Sequence, residues 1–155
     1  MRIRKACLED IPDLIRLLGQ VGQIHHALRP DIFRDHPHKY RAGDLEDLLR
    51  DPARPVFVAL AEQTVVGYCF CVHKNYGDDH ALMPRRELYI DDLCVDQAHR
   101  GQGIATALFG HVTGYARDTG CGQISLNVWE GNHAARAFYD RVGMTPRSTT
   151  MEVRL

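Results

Sequence analysis

Two features of the chain carry chemistry. One is an adjacent pair of acids, Asp91 and Asp92, set inside an otherwise apolar run, Leu88 to Val95. The other is a polar turn directly after it, Arg100-Gly101-Gln102-Gly103-Ile104-Ala105. Carboxylates held near a reacting amine act as a base, directly or through water, or hold a cation. Burying both without a partner costs several kcal/mol, so each needs one. Adjacent residues of a regular strand point to opposite faces, which sends only one acid into any given cleft. The turn joins a strand pattern to a helix pattern. Free backbone N–H groups at a helix start suit an anionic phosphate, and glycines let the backbone approach it closely. The plainer reading is a tight turn, with Arg100 as an exposed charge. Two familiar phosphate loops are excluded. No Gly-Lys-Ser/Thr follows, and Thr106 stands where a dinucleotide fingerprint needs a third Gly or Ala.

Other reactive residues are less telling. Cys94 is an acyl-accepting nucleophile only if a base approaches it in space, since no His is near in sequence; otherwise it is a small apolar residue. Tyr139, beside Phe138, reads from helix periodicity alone as a core tyrosine. His25, His26, His36 and His38 do not fall three to a helical face, and no acid–His motif accompanies them, so no metal is expected. The five cysteines (7, 69, 71, 94 and 121) are odd in number and scattered, which points to reduced thiols and a cytoplasmic setting.

The elements that position these residues follow from pattern. The 155 residues suit one domain spanning 1–155, with 45% hydrophobic and 25% charged residues. A net charge of -1 argues against nucleic acid, and no apolar run is long enough for a membrane. Strands are predicted at Arg2–Ala6, Pro55–Leu60, Thr64–His73, Glu87–Val95, Gln123–Val128 and Thr149–Leu155. Helices are predicted from Ile11 to about Val21, weakened at its end by Gly19 and Gly22, and at Asp44–Arg50, Ile104–Arg117 and Asn132–Val142. His25 to Gly43 is irregular and long, the kind of segment that carries function. The class is α/β (α+β), a mixed sheet with helices on its faces.

Three separated stretches resemble the motifs of one family. Arg100–Ala105 resembles motif A of the GNAT superfamily of acetyl-CoA-dependent N-acetyltransferases, and Leu93-Cys94-Val95 its pantetheine-binding strand. Asn127–Asn132, followed by Ala137–Met144 with Phe138-Tyr139, resembles motif B. The order of elements matches along the whole chain. The resemblance implies the GNAT fold: a mostly antiparallel sheet of about seven strands with about four helices, and a V-shaped splay between the fourth and fifth strands. It implies acetyl-CoA as co-substrate, held by Leu93, Cys94, Val95, Arg100, Gly101, Gln102, Gly103, Ile104 and Ala105, with an amide near Leu93 or Cys94 polarising the thioester. Asn132 caps a helix, touches the cofactor, or does both. Tyr139 falls at the general-acid position, where its phenol binds the cofactor by hydrogen-bonding or protonating the departing CoA thiolate. The family carries a bulge at the acid pair, so strand parity is unreliable there. Ile90–Val95 resembles the Leu-Glu-Asp-x-x-Val run of polyamine acetyltransferases, which makes Asp91 a base acting through water and Asp92 a contact for a cationic acceptor. His26, Arg29 and Phe33 would line the acceptor site. The function implied is acetyl transfer to a primary amine of a small cationic molecule by direct attack, in a homodimer. The alternatives are transfer to a protein or peptide amine (an N-terminus or a lysine) and a non-catalytic acyl-CoA sensor.

Overall fold

Two long apolar runs, Val56–Ala61 and Thr64–Asn75, decide the architecture. They are rich in β-branched and aromatic residues and are buried without a break over Val56–Leu60 and Val65–Cys71, as strands covered on both faces must be. The computed structural model describes residues 1–155. In chain order the elements are β1 (Arg2–Lys5), α1 (Ile11–Leu28), α2 (Ala42–Arg50), β2 (Val56–Ala61), β3 (Thr64–Asn75), β4 (Arg86–Val95), α3 (Ile104–Asp118), β5 (Gln123–Leu126) and α4 (His133–Arg141). The strands lie side by side in the order β1-β2-β3-β4-β5. Neighbours from β1 to β4 are antiparallel, and β4 and β5 are parallel.

Each face of the sheet has its own core. Val58, Leu60, Val65, Tyr68, Phe70 and Cys94 pack against Leu14, Leu17 and Leu18 of α1 and Leu45 and Leu48 of α2. On the other face, Phe57, Ala59, Cys69, Cys71, Leu88 and Ile90 pack against Ile104, Leu108, Val112 and Ala116 of α3. Ion pairs tie the ends together. Arg4 holds Asp10 with two bonds of 2.6 and 2.9 Å, which fixes β1 to the start of α1. Glu87, fully buried at the foot of β4, accepts from Ser125 and from Arg147 (2.8 Å). Burial pushes the Glu87 carboxyl up, but those bonds outweigh it and hold it below the usual range.

Two sequence expectations are corrected. The sheet has five strands rather than about seven. Thr149–Leu155 forms no strand and joins no ladder, although its alternation of apolar and charged residues is that of a strand. No strand edge of this chain receives it. Instead Arg29 and Asp31, just past α1, hold Glu152 and Arg154 in ion pairs of 2.6 and 2.7 Å. The second correction concerns α1, which runs through both weakening glycines to Leu28 and takes in His25 and His26. Burial of its inner stripe overrides the propensity penalty of about 1 kcal/mol per glycine. Gly22 has a packing reason: a Cβ there would lie 2.5 Å from Pro37 Cγ. The glycine lets the segment between α1 and α2 close onto the helix.

That contact predicts the sign of a substitution. Gly22→Ala gains about 1 kcal/mol of helix propensity, but the stiff proline ring must move, at a cost of about 1–3 kcal/mol. Denaturant unfolding should show a net loss of stability.

Candidate active site

The site begins with a bulge. Across β3 and β4, Cys71 pairs with Ile90 and Phe70 with Asp92, which leaves Asp91 as the extra residue. A bulge resets parity. Before it, Leu88 and Ile90 face α3; after it, Cys94 faces α1 and Leu93 and Val95 face α3. Asp92 follows the new parity, and Asp91 leans the same way. Both acids therefore reach one group, the ammonium of Lys39. Its Nζ lies 2.9 Å from Asp91 Oδ2 and 3.6 Å from Asp92 Oδ2. The sequence asked for a partner for these acids without indicating which residue it was.

Asp92 is the buried member of the pair. It accepts from the Tyr68 hydroxyl at 3.3 Å. Burial pushes its carboxyl above the usual range, and Lys39 and His25 pull it back only in part. Asp91 also accepts from the Tyr40 hydroxyl (3.2 Å), which itself accepts from Arg54 (3.0 Å). Burial alone would lower the Lys39 pKa, but the two carboxylates outweigh it and hold it up.

The same stretch of β4 lacks a neighbour on its other side. Pairing with β5 stops at Ile90 and Leu126, so Asp91–Val95 run on with β5 gone. This is the splay between the fourth and fifth strands. Asp96 N–H donates to Val66 O at 2.8 Å. Bonding alternates along an antiparallel ladder, so Cys94 and Asp92 turn their polar groups to β3, whereas Leu93 and Val95 turn theirs into the splay. Cys94 thus shows it neither backbone nor thiol. The thiol lies 3.7 Å from Leu17 O, and burial raises its pKa to about 12. A thiol so held is not a nucleophile at neutral pH.

The turn before α3 closes one end of the splay. Gly101 and Gly103 have φ of 76° and 78°, the left-handed region that side chains disfavour. None of the backbone N–H groups from Arg100 to Thr106 finds an acceptor within the chain. Their orphaned donors, at the N-terminus of a fifteen-residue helix, make a cradle for negative charge. Arg100 folds back, its Nε donating to Val95 O at 3.2 Å. The turn is anchored by residues the sequence reading passed over. Asp96 accepts from Arg16 (2.9 Å) and Ala98 N–H (3.2 Å), and Gln20 accepts from Gln97 N–H (3.0 Å).

On the far side, Asn132 caps α4 by accepting from Ala135 N–H at 3.2 Å. Tyr139 is half-buried, and its hydroxyl makes no hydrogen bond within the chain. Burial pushes its pKa well up, with Cys69 and Asp92 adding to the shift, so the hydroxyl stays protonated. Of the three residues expected to line the acceptor site, Phe33 stands in an aromatic wall, with ring centroids 5.0 Å from His25 and 5.1 Å from Trp129. His26 supports it, with Nδ1 2.8 Å from Phe33 O. Arg29 is turned elsewhere, engaged by Asp31 and Glu152.

The splayed parallel pair and the glycine turn at a helix start have the arrangement that the family resemblance implied, and comparison with known proteins shows the family. The acetyltransferase (GNAT) family model matches residues 21–144. The chain belongs to this family. Thialysine N-epsilon-acetyltransferase of Bos taurus is 28% identical over 136 residues, covering 88% of this chain and 73% of the bovine protein. Mycothiol acetyltransferase of Thermobispora bispora is 33% identical over 147 residues, covering 88% of this chain and 48% of its own. Among solved structures, a mutant of the BH1408 protein of Bacillus halodurans superposes with a TM-score of 0.95 at 30% identity, covering 100% of this chain and 99% of that one. An aminoglycoside N-acetyltransferase solved with CoA has a TM-score of 0.74 at 15% identity, covering 99% of this chain and 98% of its own, a likeness of fold alone. The protein is thus a GNAT acyltransferase that uses acetyl-CoA, and its orphan amides suit that molecule's pyrophosphate.

Placing a Cβ at a left-handed position costs about 1–2 kcal/mol. Gly103→Ala lets the free turn relax out of that conformation, and restoring it on binding should weaken acetyl-CoA affinity by about tenfold in calorimetric titration, with little loss elsewhere in the fold.

Proposed function

We propose that this GNAT enzyme acetylates the primary amine of a small cationic acceptor by direct attack within a ternary complex. The observation that carries the reading is the bulge that turns Asp91 and Asp92 to one side, beside the splay. Two carboxylates at one point favour a cation, and the aromatic wall of His25, Phe33 and Trp129 favours the apolar stem that carries it. The bovine relative is named for the ε-nitrogen of thialysine, which supports a small amine over a protein acceptor.

In this reading the chain divides the work as follows. Amides of Gln102 to Ala105 bind pyrophosphate, and the polar groups of Leu93 and the N–H of Val95, whose carbonyl Arg100 holds, pair with the pantetheine arm as an added strand would. An N–H near Leu93 donates to the thioester oxygen as charge develops on it. Asp91, through water, relieves the acceptor ammonium of its proton, and Asp92 fixes the cation. Tyr139 donates to the departing sulfur. The five cysteines are free and four are buried, which fits a reducing, cytoplasmic setting.

We also read the chain as a homodimer. Met151, Val153 and Leu155 are 84%, 81% and 118% exposed, alternate apolar residues of a segment that joins no strand. The outer edge of β5 is likewise unpaired. Each is a liability in a monomer and complements the other between two copies.

Three measurements test this reading. Release of CoA from acetyl-CoA should appear with a cationic amine, and Tyr139→Phe should lower kcat by about a hundredfold or more with acetyl-CoA affinity kept. If acetyl-CoA binds but no small amine releases CoA, the acceptor reading fails. For pH, the working carboxylate must be ionised, so kcat/KM should rise as pH climbs through the raised Asp92 pKa. Asp92→Asn should remove or shift that limb; an unchanged profile would exclude it. For assembly, light scattering should report a dimer that removal of Met151–Leu155 converts to monomer.

A further inference from the structure

The chain has three lysines: Lys5, Lys39 and Lys74. Two lie against aromatic rings away from the acids, Lys5 5.5 Å from the centre of Tyr115 and Lys74 3.9 Å from that of Tyr89. Lys39 alone enters the acid pair, at 2.9 and 3.6 Å. It is a primary alkylammonium held by the two carboxylates that the acceptor amine requires. The folded chain thus already presents, at its own acceptor subsite, a group of the acceptor's class. We propose that Lys39 is an acceptor of the enzyme that carries it, and is acetylated within its own active site.

The placement is enforced by its surroundings. Lys39 lies between α1 and α2, in a stretch with no helix or strand. The backbone is nonetheless pinned on both sides. Pro37 closes onto Gly22, and the Tyr40 ring stacks on Phe70 with centroids 5.8 Å apart. Tyr40 and Arg54 bracket the acids from the α2 side. Lys39 is thereby delivered to β4 where Leu93 and Val95 turn into the splay. Its side chain is 40% exposed, so the ammonium can lose a proton to solvent and leave the carboxylates.

The step balances without a further reactant. The Lys39 amine, its proton passed to Asp91 or Asp92 and on to water, attacks the thioester carbonyl of acetyl-CoA. A C–N bond forms and the C–S bond breaks. The sulfur leaves with its electron pair and takes a proton from Tyr139; the second proton shed by the nitrogen passes through water to restore Tyr139, and the products are free CoA and an uncharged amide. That amide no longer pairs with the two carboxylates, which become available to a cationic acceptor.

This inference rests on the acetyltransferase reading of the same site, and its test separates the two. The purified full chain is incubated with acetyl-CoA alone, and acetylation is followed by intact mass and peptide mapping. The expected result is one acetyl group per chain, on Lys39, at a rate about tenfold or more above that at Lys5 or Lys74, as proximity implies. The rate constant should not change with protein concentration, and a cationic amine that the enzyme turns over should suppress the reaction. Lys39→Arg keeps the positive charge and should abolish incorporation. Equal acetylation of all three lysines would mean plain chemical reaction and overturn the proposal. So would an enzyme that turns over free amines yet leaves Lys39 unmodified when given acetyl-CoA alone, a result that would leave the acetyltransferase reading standing. If neither Lys39 nor any free amine is acetylated while acetyl-CoA binds, both readings fall.

Discussion

Beyond Ile90, the fourth strand has a partner on one side only. Interior strands do not ordinarily leave backbone N–H and C=O groups open, because an unpaired buried polar group costs about as much as a lost hydrogen bond. Here the parting of β4 from β5 leaves those of Leu93 and Val95 turned into a gap. Most of the remaining structure keeps that gap from collapsing. The α3 core holds the strands from one face and the α1–α2 core from the other. Asp96, tied to Arg16 and Gln20, carries the chain out of β4 and into the turn of orphan amides. Glu87 clamps β4 to β5 at the end where they still pair.

A second constraint is charge. Asp92 is buried on the apolar side of the sheet, where an unpaired carboxylate cannot persist. Lys39, His25 and the Tyr68 hydroxyl share the task of keeping it there. These groups come from α1, the segment after it and β3, so the acid pair on β4 also joins elements distant in sequence. The bulge and the lysine are thereby interdependent. Without the extra residue at Asp91, the two acids would face opposite sides and no single ammonium would serve both.

What was legible in the sequence is what depends on neighbours along the chain. The strand, the glycine turn and the helix from Leu88 onward were readable because left-handed turns and helix starts leave local marks. The helix of Tyr139, with its Asn132 cap, was readable for the same reason. What was not legible depends on contacts across the fold. Lys39 carries no local sign that it lies against Asp91, and the facing of the two acids turns on a bulge that strand parity alone does not reveal. The glycines of α1 look like breakers until Pro37 is seen packed on one of them. The last segment has the pattern of a strand, but a pattern shows only that a strand is possible, and pairing needs an edge within reach.

The aromatic wall has one more consequence. Trp129 is the only tryptophan in the chain, and it stands edge-on to Phe33, 37% exposed, just before the turn into α4. The intrinsic indole emission of this protein therefore comes entirely from one side of the proposed acceptor site. Occupation of that wall, or displacement of the segment carrying Phe33, registers in a single unlabelled optical signal with no background from elsewhere in the molecule.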